Sequence, residues 1–173
     1  METMQTMINR RSIRKYKDEP IPKEKLDKIL RAGLLAPTSQ NKKPCEFYII
    51  KDRDTLEKLS KAKKFAAGML AGCDCAIAVF ADSKKADVWI EDCSIALAYM
   101  NLMATDLGIG SCWCQMRLRS SVLGKDAEEN VKKIMHITNP QMRIVGILAL
   151  GMADKESQPH TDQDLDWEKT HIL

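Results

Sequence analysis

The sequence predicts an α+β domain, with a mostly antiparallel or mixed sheet of four to five strands sandwiched by helices. Three observations point there. Four short apolar runs alternate with segments of helical periodicity. One of those runs, Cys75 to Phe80, is nearly all apolar, as expected of a strand covered on both sides. The longest periodic segment, Ala86 to Leu107, is filled with Ala, Leu and Met and reads as a central helix buried nearly all round. At 173 residues the chain is expected to be a single domain over 1–173, large enough for a real core and too short for two.

The elements follow in order. Met4 to Asn9 reads as a short helix. Pro20-Ile21-Pro22 breaks the chain, and Pro22 suits the first position of a new helix. Leu26, Ile29, Leu30, Gly33 and Leu34 then recur at helical spacing over 23–35. Pro37 disfavours a helical residue before it, so that helix stops at Ala36. Residues 37–44, PTSQNKKP, form a polar loop. Glu46 to Ile50 reads as a strand, and Asp52 to Lys64 as an amphipathic helix built on Leu56 and Leu59. After the central helix, Gly108-Ile109-Gly110 ends the periodicity. Ser111 to Met116 is the next strand, a helix follows at about 124–135, and Arg143 to Leu150 is the last strand. The tail from Gly151 is acidic and apolar-poor until Trp167, Ile172 and Leu173.

Apolar residues make up 45% of the chain and charged residues 29%, a soluble globular profile. The net charge is only +3, which argues against a nucleic-acid partner. No apolar run approaches the length of a membrane span, and the N-terminus lacks the apolar core of a signal peptide. Four of the six cysteines form the C-x-C pairs Cys73/Cys75 and Cys112/Cys114. Zinc sites usually space their thiols more widely, so the cysteines read as reduced core thiols of a cytoplasmic protein.

Charge is unevenly placed. Residues 10–31 hold nine Lys/Arg against four Asp/Glu, whereas 154–173 hold two against six. The run RRSIRKY, residues 10–16, carries four of the cations. Solvated surface is the bland reading of such a run. Against it, Arg10, Ser12 and Arg14 alternate, so an extended backbone would project them from one face. Arginine forks match phosphate oxygens, and Ser12 adds a hydroxyl, so one phosphate-bearing ligand could bridge them. The second candidate is the loop Pro37-Thr38-Ser39-Gln40-Asn41, whose hydroxyls and amides can donate and accept at several positions. The third is Gly108-Ile109-Gly110-Ser111, where glycine permits close backbone approach. It follows a helix and precedes a strand, the reverse of a dinucleotide fingerprint. None of the three histidines sits in a hydrolytic or metalloprotease motif. Asp92 is a carboxylate on an otherwise apolar helix, for which a helix-face salt bridge is the expected use. Anion-binding groups without acid–base equipment suit a protein whose chemistry is carried by a cofactor.

At this point the chain resembles the nitroreductase family of flavoproteins in its compact version. The matching stretches are RRSIRKY, APTSQNKKP, WIEDCSIALAYMNLMATDLGIGSCW and VGILALGMADKE, in family order over nearly the whole chain. The resemblance implies a homodimer with FMN bound at its interface, NAD(P)H as electron donor and a nitroaromatic, quinone or related small acceptor. It implies that Arg10 and Ser12, with Arg11 between them, hold the phosphate and ribityl chain, and that Arg14 reaches the pyrimidine edge of the ring. Pro37, Thr38, Ser39 and Asn41 would come from the partner subunit. Gly108, Ile109, Gly110 and Ser111 would face the ring, with the backbone of Ile109 and Gly110 nearest its central nitrogen and no catalytic side chain. Two departures stand out. The family loop commonly continues with glutamine, proline and tryptophan, where this chain has Lys43, Pro44 and Cys45. The family also tends to place Lys or Arg after the last strand, where this tail has no Arg, leaving Lys155 or His160 to assist Arg10 and Arg11. A flavin- or nucleotide-binding module without redox turnover is the alternative on the same fold.

Overall fold

A computed structural model describes residues 2–173. Four strands, β1 (Cys45–Ile50), β2 (Cys75–Asp82), β3 (Gly110–Gln115) and β4 (Met142–Gly151), form one sheet in the order β1-β2-β4-β3. All three pairings are antiparallel. β2 shows why the sheet lies in the middle of the molecule: its side chains alternate between two buried clusters. Ala76, Ala78 and Phe80 join Leu56 and Leu59 of α3 (Arg53–Ser60), Leu70 of α4 (Met69–Gly72) and Val131 of α6 (Ala127–Ile134). Cys75, Ile77 and Val79 face Ile29 of α2 (Lys23–Leu35) and Cys93, Leu97 and Met100 of α5 (Trp89–Asp106). Period-2 alternation in a strand thus feeds two apolar layers.

The order of elements is the expected one, with three differences. α3 ends at Ser60 rather than near Lys64. There Lys63 turns inward to donate to the Gln115 carbonyl at 2.9 Å, and the Lys64 N–H bonds Ser120 O. These tertiary bonds win over helix propagation. The single turn α4 has too few residues to show a helical period. α5 is not buried all round: Ile95, Ala98 and Tyr99 stay open, one stripe at helical spacing.

The basic run is extended. It leaves α1 (Thr3–Asn9) and docks on the free edge of β3 through a parallel bridge between Ser12 and Ser111, with Ile13 N–H donating to Ser111 O at 2.9 Å. Beyond it, Tyr16 pairs with Ala153. Two glycines make the seat. A Cβ on Gly110 would meet Ile13 at 2.9 Å, and one on Gly151 would meet the Tyr16 ring at 2.7 Å. The sheet is therefore antiparallel with one parallel bridge. Among the described residues no helix is long and apolar enough to cross a membrane.

Candidate functional site

Extended backbone sorts the basic run by parity. Arg11 turns to one side, where its Nη1 lies 3.2 Å from His160 Nδ1. His160 also lies 3.4 Å from Asp164 Oδ2, and its N–H donates to Ile8 O, so the tail folds back along α1. Ser12 and Arg14 face the other side, together with Arg10. Their common neighbour is Cys112 of β3. Burial pushes that thiol up, while Arg14, a hydrogen bond to Ser12, Lys63 and Arg10 pull the other way. Three cations and a hydroxyl therefore act on the Cys112 thiol. Arg11 is set apart from them.

The stretch 108–111 is also tied into the fold. The N–H groups of Gly108 and Ile109 close the end of α5, donating to Thr105 O at 3.0 Å and Ala104 O at 2.8 Å. Gly110 pairs with Gly151 and lies under Ile13. The Ser111 hydroxyl donates to Asn101 Oδ1 at 2.8 Å, both groups buried. Ile109 thus has no spare N–H, and Ser111 no spare hydroxyl proton. Helix closure and strand pairing consume them, and the stretch serves as the seat of the basic run.

The polar loop lies elsewhere. Ser39–Asn41 make one 3-10 turn. Ser39 N–H donates to Asp92 Oδ1 at 2.9 Å, and Thr38 Oγ1 accepts from Lys43 N–H at 3.0 Å. Gln40, Asn41 and Lys43 all have positive φ, near 50°, a conformation that costs a side-chain-bearing residue energy. The expected helix-face salt bridge of Asp92 is replaced by this backbone bond, because Asp92 is 2% exposed and points at the loop. Its second oxygen, Oδ2, is buried with no partner among the described residues.

The two candidate groups are not brought together within one chain. The loop enters β1 at Cys45, on one edge strand, while Ser12 docks on β3 at the other edge. They also lie at opposite ends, since Cys45 aligns with Ala81 whereas Ser111 aligns, across β4, with Cys75. Three strand spacings and six residues separate these corners, roughly 14 Å by 20 Å.

Two further cationic residues lie along β3 and just beyond it. Lys63 is 8% exposed and anchors on β3. Arg117 follows β3, where a bulge in β4 lets Val145 O accept both Met116 N–H and Arg117 N–H. Its Nε is buried with no partner. The signal was present in Arg117 and Arg119 at the end of a strand, but nothing in the spacing marked them.

A family model for the nitroreductase family matches residues 7–65 and 61–152. The chain belongs to the nitroreductase family. A solved FMN-dependent nitroreductase from Clostridium difficile R20291 superimposes with a TM-score of 0.94 at 40% identity, covering 98% of each chain. One from Parabacteroides distasonis, provisionally named NADH dehydrogenase/NAD(P)H nitroreductase, gives 0.89 at 32% identity over 99% of this chain and 98% of that one. An Archaeoglobus fulgidus protein with the same provisional name is 35% identical over 94% of this chain and 92% of its own. The fold of this nitroreductase-family chain is therefore that of its relatives along its whole length.

FMN is an anion rich in hydrogen-bond acceptors. The corner at β3 offers two guanidinium groups, Arg10 and Arg14, on the face of the Ser12 hydroxyl. This donor set fits the cofactor.

Proposed function

We propose that the protein is an FMN-dependent oxidoreductase working as a homodimer. NAD(P)H would be its donor, and a nitroaromatic, quinone or related small molecule its acceptor. Bound FMN would supply the chemistry, taking a hydride from the donor and, once the donor has left, delivering electrons to the acceptor. The observation that carries the reading is the extended basic run docked on the β3 edge through Ser12 and Ser111, which sets Arg10, Ser12 and Arg14 on one face. Arg10 and Ser12 would hold the phosphate. Arg14 supplies positive charge to the reduced cofactor, a preorganised electrostatic role that needs no proton transfer by a side chain.

The diagonal separation supports a second subunit. Loop 37–41 and the basic run lie at opposite corners of one sheet, so one cofactor meets both only if the loop comes from another copy. A surface for that copy exists. Met4, Met7, Leu34, Leu35, Ile95 and Tyr99 form an exposed apolar face over α1, α2 and α5. The tail adds Trp167, 70% exposed, and fully open Ile172 and Leu173, suited to an arm over a partner.

Reconstitution with FMN tests the reading. The protein should turn yellow, bleach on adding NAD(P)H and recover colour with a nitroaromatic or quinone. A protein that binds no flavin overturns it. Flavin binding without donor-dependent consumption of any acceptor would favour the non-redox module.

A further inference from the structure

We propose that Cys45 and Cys93 are a peroxide-oxidised dithiol site, closing to a disulfide when hydrogen peroxide reaches Cys45. The proposal goes beyond the flavin reading and does not depend on it. The two sulfurs lie 3.6 Å apart in hydrogen-bond contact, although 48 positions separate them in sequence. All the other cysteines are buried, and Cys45 alone is partly open. A cavity of about 70 Å³ reaches Cys45, lined by Gly33, Thr38, Lys43, Phe47 and Ala96 among others. At about 30 Å³ for each water molecule, that space admits a solute the size of hydrogen peroxide.

The environments of the two thiols assign their roles. Cys93 is fully enclosed on α5, so burial favours its protonated form in the hydrogen bond it shares with Cys45. That hydrogen bond holds the Cys45 thiol below its ordinary range, outweighing burial and the nearby Asp92 charge, and the same contact pushes Cys93 up. The Cys45 thiolate is the attacking sulfur. It displaces hydroxide from peroxide, which leaves as water after taking up the proton that Cys45 gave up, and Cys45 becomes a sulfenic acid. The Cys93 sulfur then attacks that sulfur. The S–S bond forms, the S–O bond breaks, and the departing hydroxide takes the Cys93 proton to leave as a second water. Two thiols lose two electrons and one peroxide gains them. The sulfurs must close from 3.6 Å to about 2.05 Å. The bond would fix the end of loop 37–44 to the stretch of α5 that already holds Ser39 through Asp92.

Peptide mapping of the folded full-length protein after a pulse of hydrogen peroxide tests the site, with thiol counting in denaturant alongside. The expected result is a Cys45–Cys93 linked peptide and a fall of two from the six thiols of each chain, both reversed by dithiothreitol. Cys45→Ser should lose no thiols at the same dose. Cys93→Ser, which keeps a hydrogen-bond donor for Cys45 but removes the second thiol, should trap Cys45 as a sulfenic acid that a dimedone probe labels. Circular dichroism confirms that each variant is folded, and wild-type protein alone suffices if one is not. A folded wild type that yields no such linked peptide, or links other cysteines first, overturns the proposal.

Discussion

Asp92 Oδ1 accepts the backbone N–H of Ser39 at 2.9 Å, a buried carboxylate in α5 holding a surface loop by one bond. That bond ties the loop, with its three residues of positive φ, to the longest helix of the molecule. The same helix holds the opposite corner through Asn101 and Ser111. Asp92→Ala removes the acceptor, and a hydrogen bond to a charged group contributes about 1.5–3 kcal/mol. The variant should lose about tenfold or more in FMN affinity by fluorescence titration. Asp92→Asn keeps an acceptor for Ser39 and should recover most of the loss. Equal loss in both variants would mean that Ser39 is not what Asp92 positions for the cofactor.

Parity along the basic run gives the next prediction. Arg10→Ala should weaken FMN binding by about ten- to a hundred-fold, the worth of one charge-assisted hydrogen bond to phosphate. Lys15→Ala should change it little, because that side chain is exposed on the other parity. Arg11→Ala should also be mild, since its guanidinium is engaged with His160. Arg14→Ala should act mainly on the flavin reduction potential, read by redox titration. Equal losses for Arg10 and Lys15 would return the run to ordinary solvated surface.

The fold was legible wherever a period was complete. β2 announces itself because both of its faces are apolar, and α2 because its stripe is bounded by prolines. The end of α3 was not legible, since Lys63 leaves the helix for a carbonyl 52 positions away in sequence. Parity did place Arg10, Ser12 and Arg14 together. It could not show that Gly108 and Ile109 spend their N–H groups, and Ser111 its hydroxyl, on α5, because those bonds exist only once helix and strand are packed. α5 misled in an instructive way. Its sequence is apolar all round, yet one chain covers only part of it.

That uncovered part supports a prediction about assembly. Ile95 and Tyr99 are 37% and 44% exposed. An aspartate at either surface position should change the stability of an isolated chain by no more than about 0.5 kcal/mol. In a subunit interface it would be a buried charge without a partner, costing about 3–5 kcal/mol. Tyr99→Asp should therefore halve the mass seen by light scattering and release FMN in the same step, while circular dichroism stays unchanged. A folded variant that keeps both the mass and the flavin of the wild type would remove this face from the proposed interface.

Alkaline pH should unfold the protein through two thiols of the C-x-C pair that flanks β2. Burial pushes Cys73 up to about 11 and Cys75 up to about 12, against an ordinary value of 9.0. For Cys73 the nearby Arg53 offsets only part of the effect, and its thiol donates to Leu70 O at 3.2 Å. The folded state therefore binds these protons more tightly than the unfolded chain does. The sign follows: their contribution to stability is fully present below pH 9 and is lost as pH rises toward 11 and 12. Once unfolded thiols ionise, each group removes about 1.4 kcal/mol for every pH unit. Buried Tyr16 works in the same direction from about pH 10, because desolvation also raises its phenol. Thermal midpoints measured from pH 8 to 11 with reductant present should stay level at first and then fall steeply. The slope should be shallower in Cys75→Ala, where the more strongly shifted thiol is gone. A wild-type midpoint that does not fall between pH 9 and 11 would mean that these thiols are not held in the desolvated setting described.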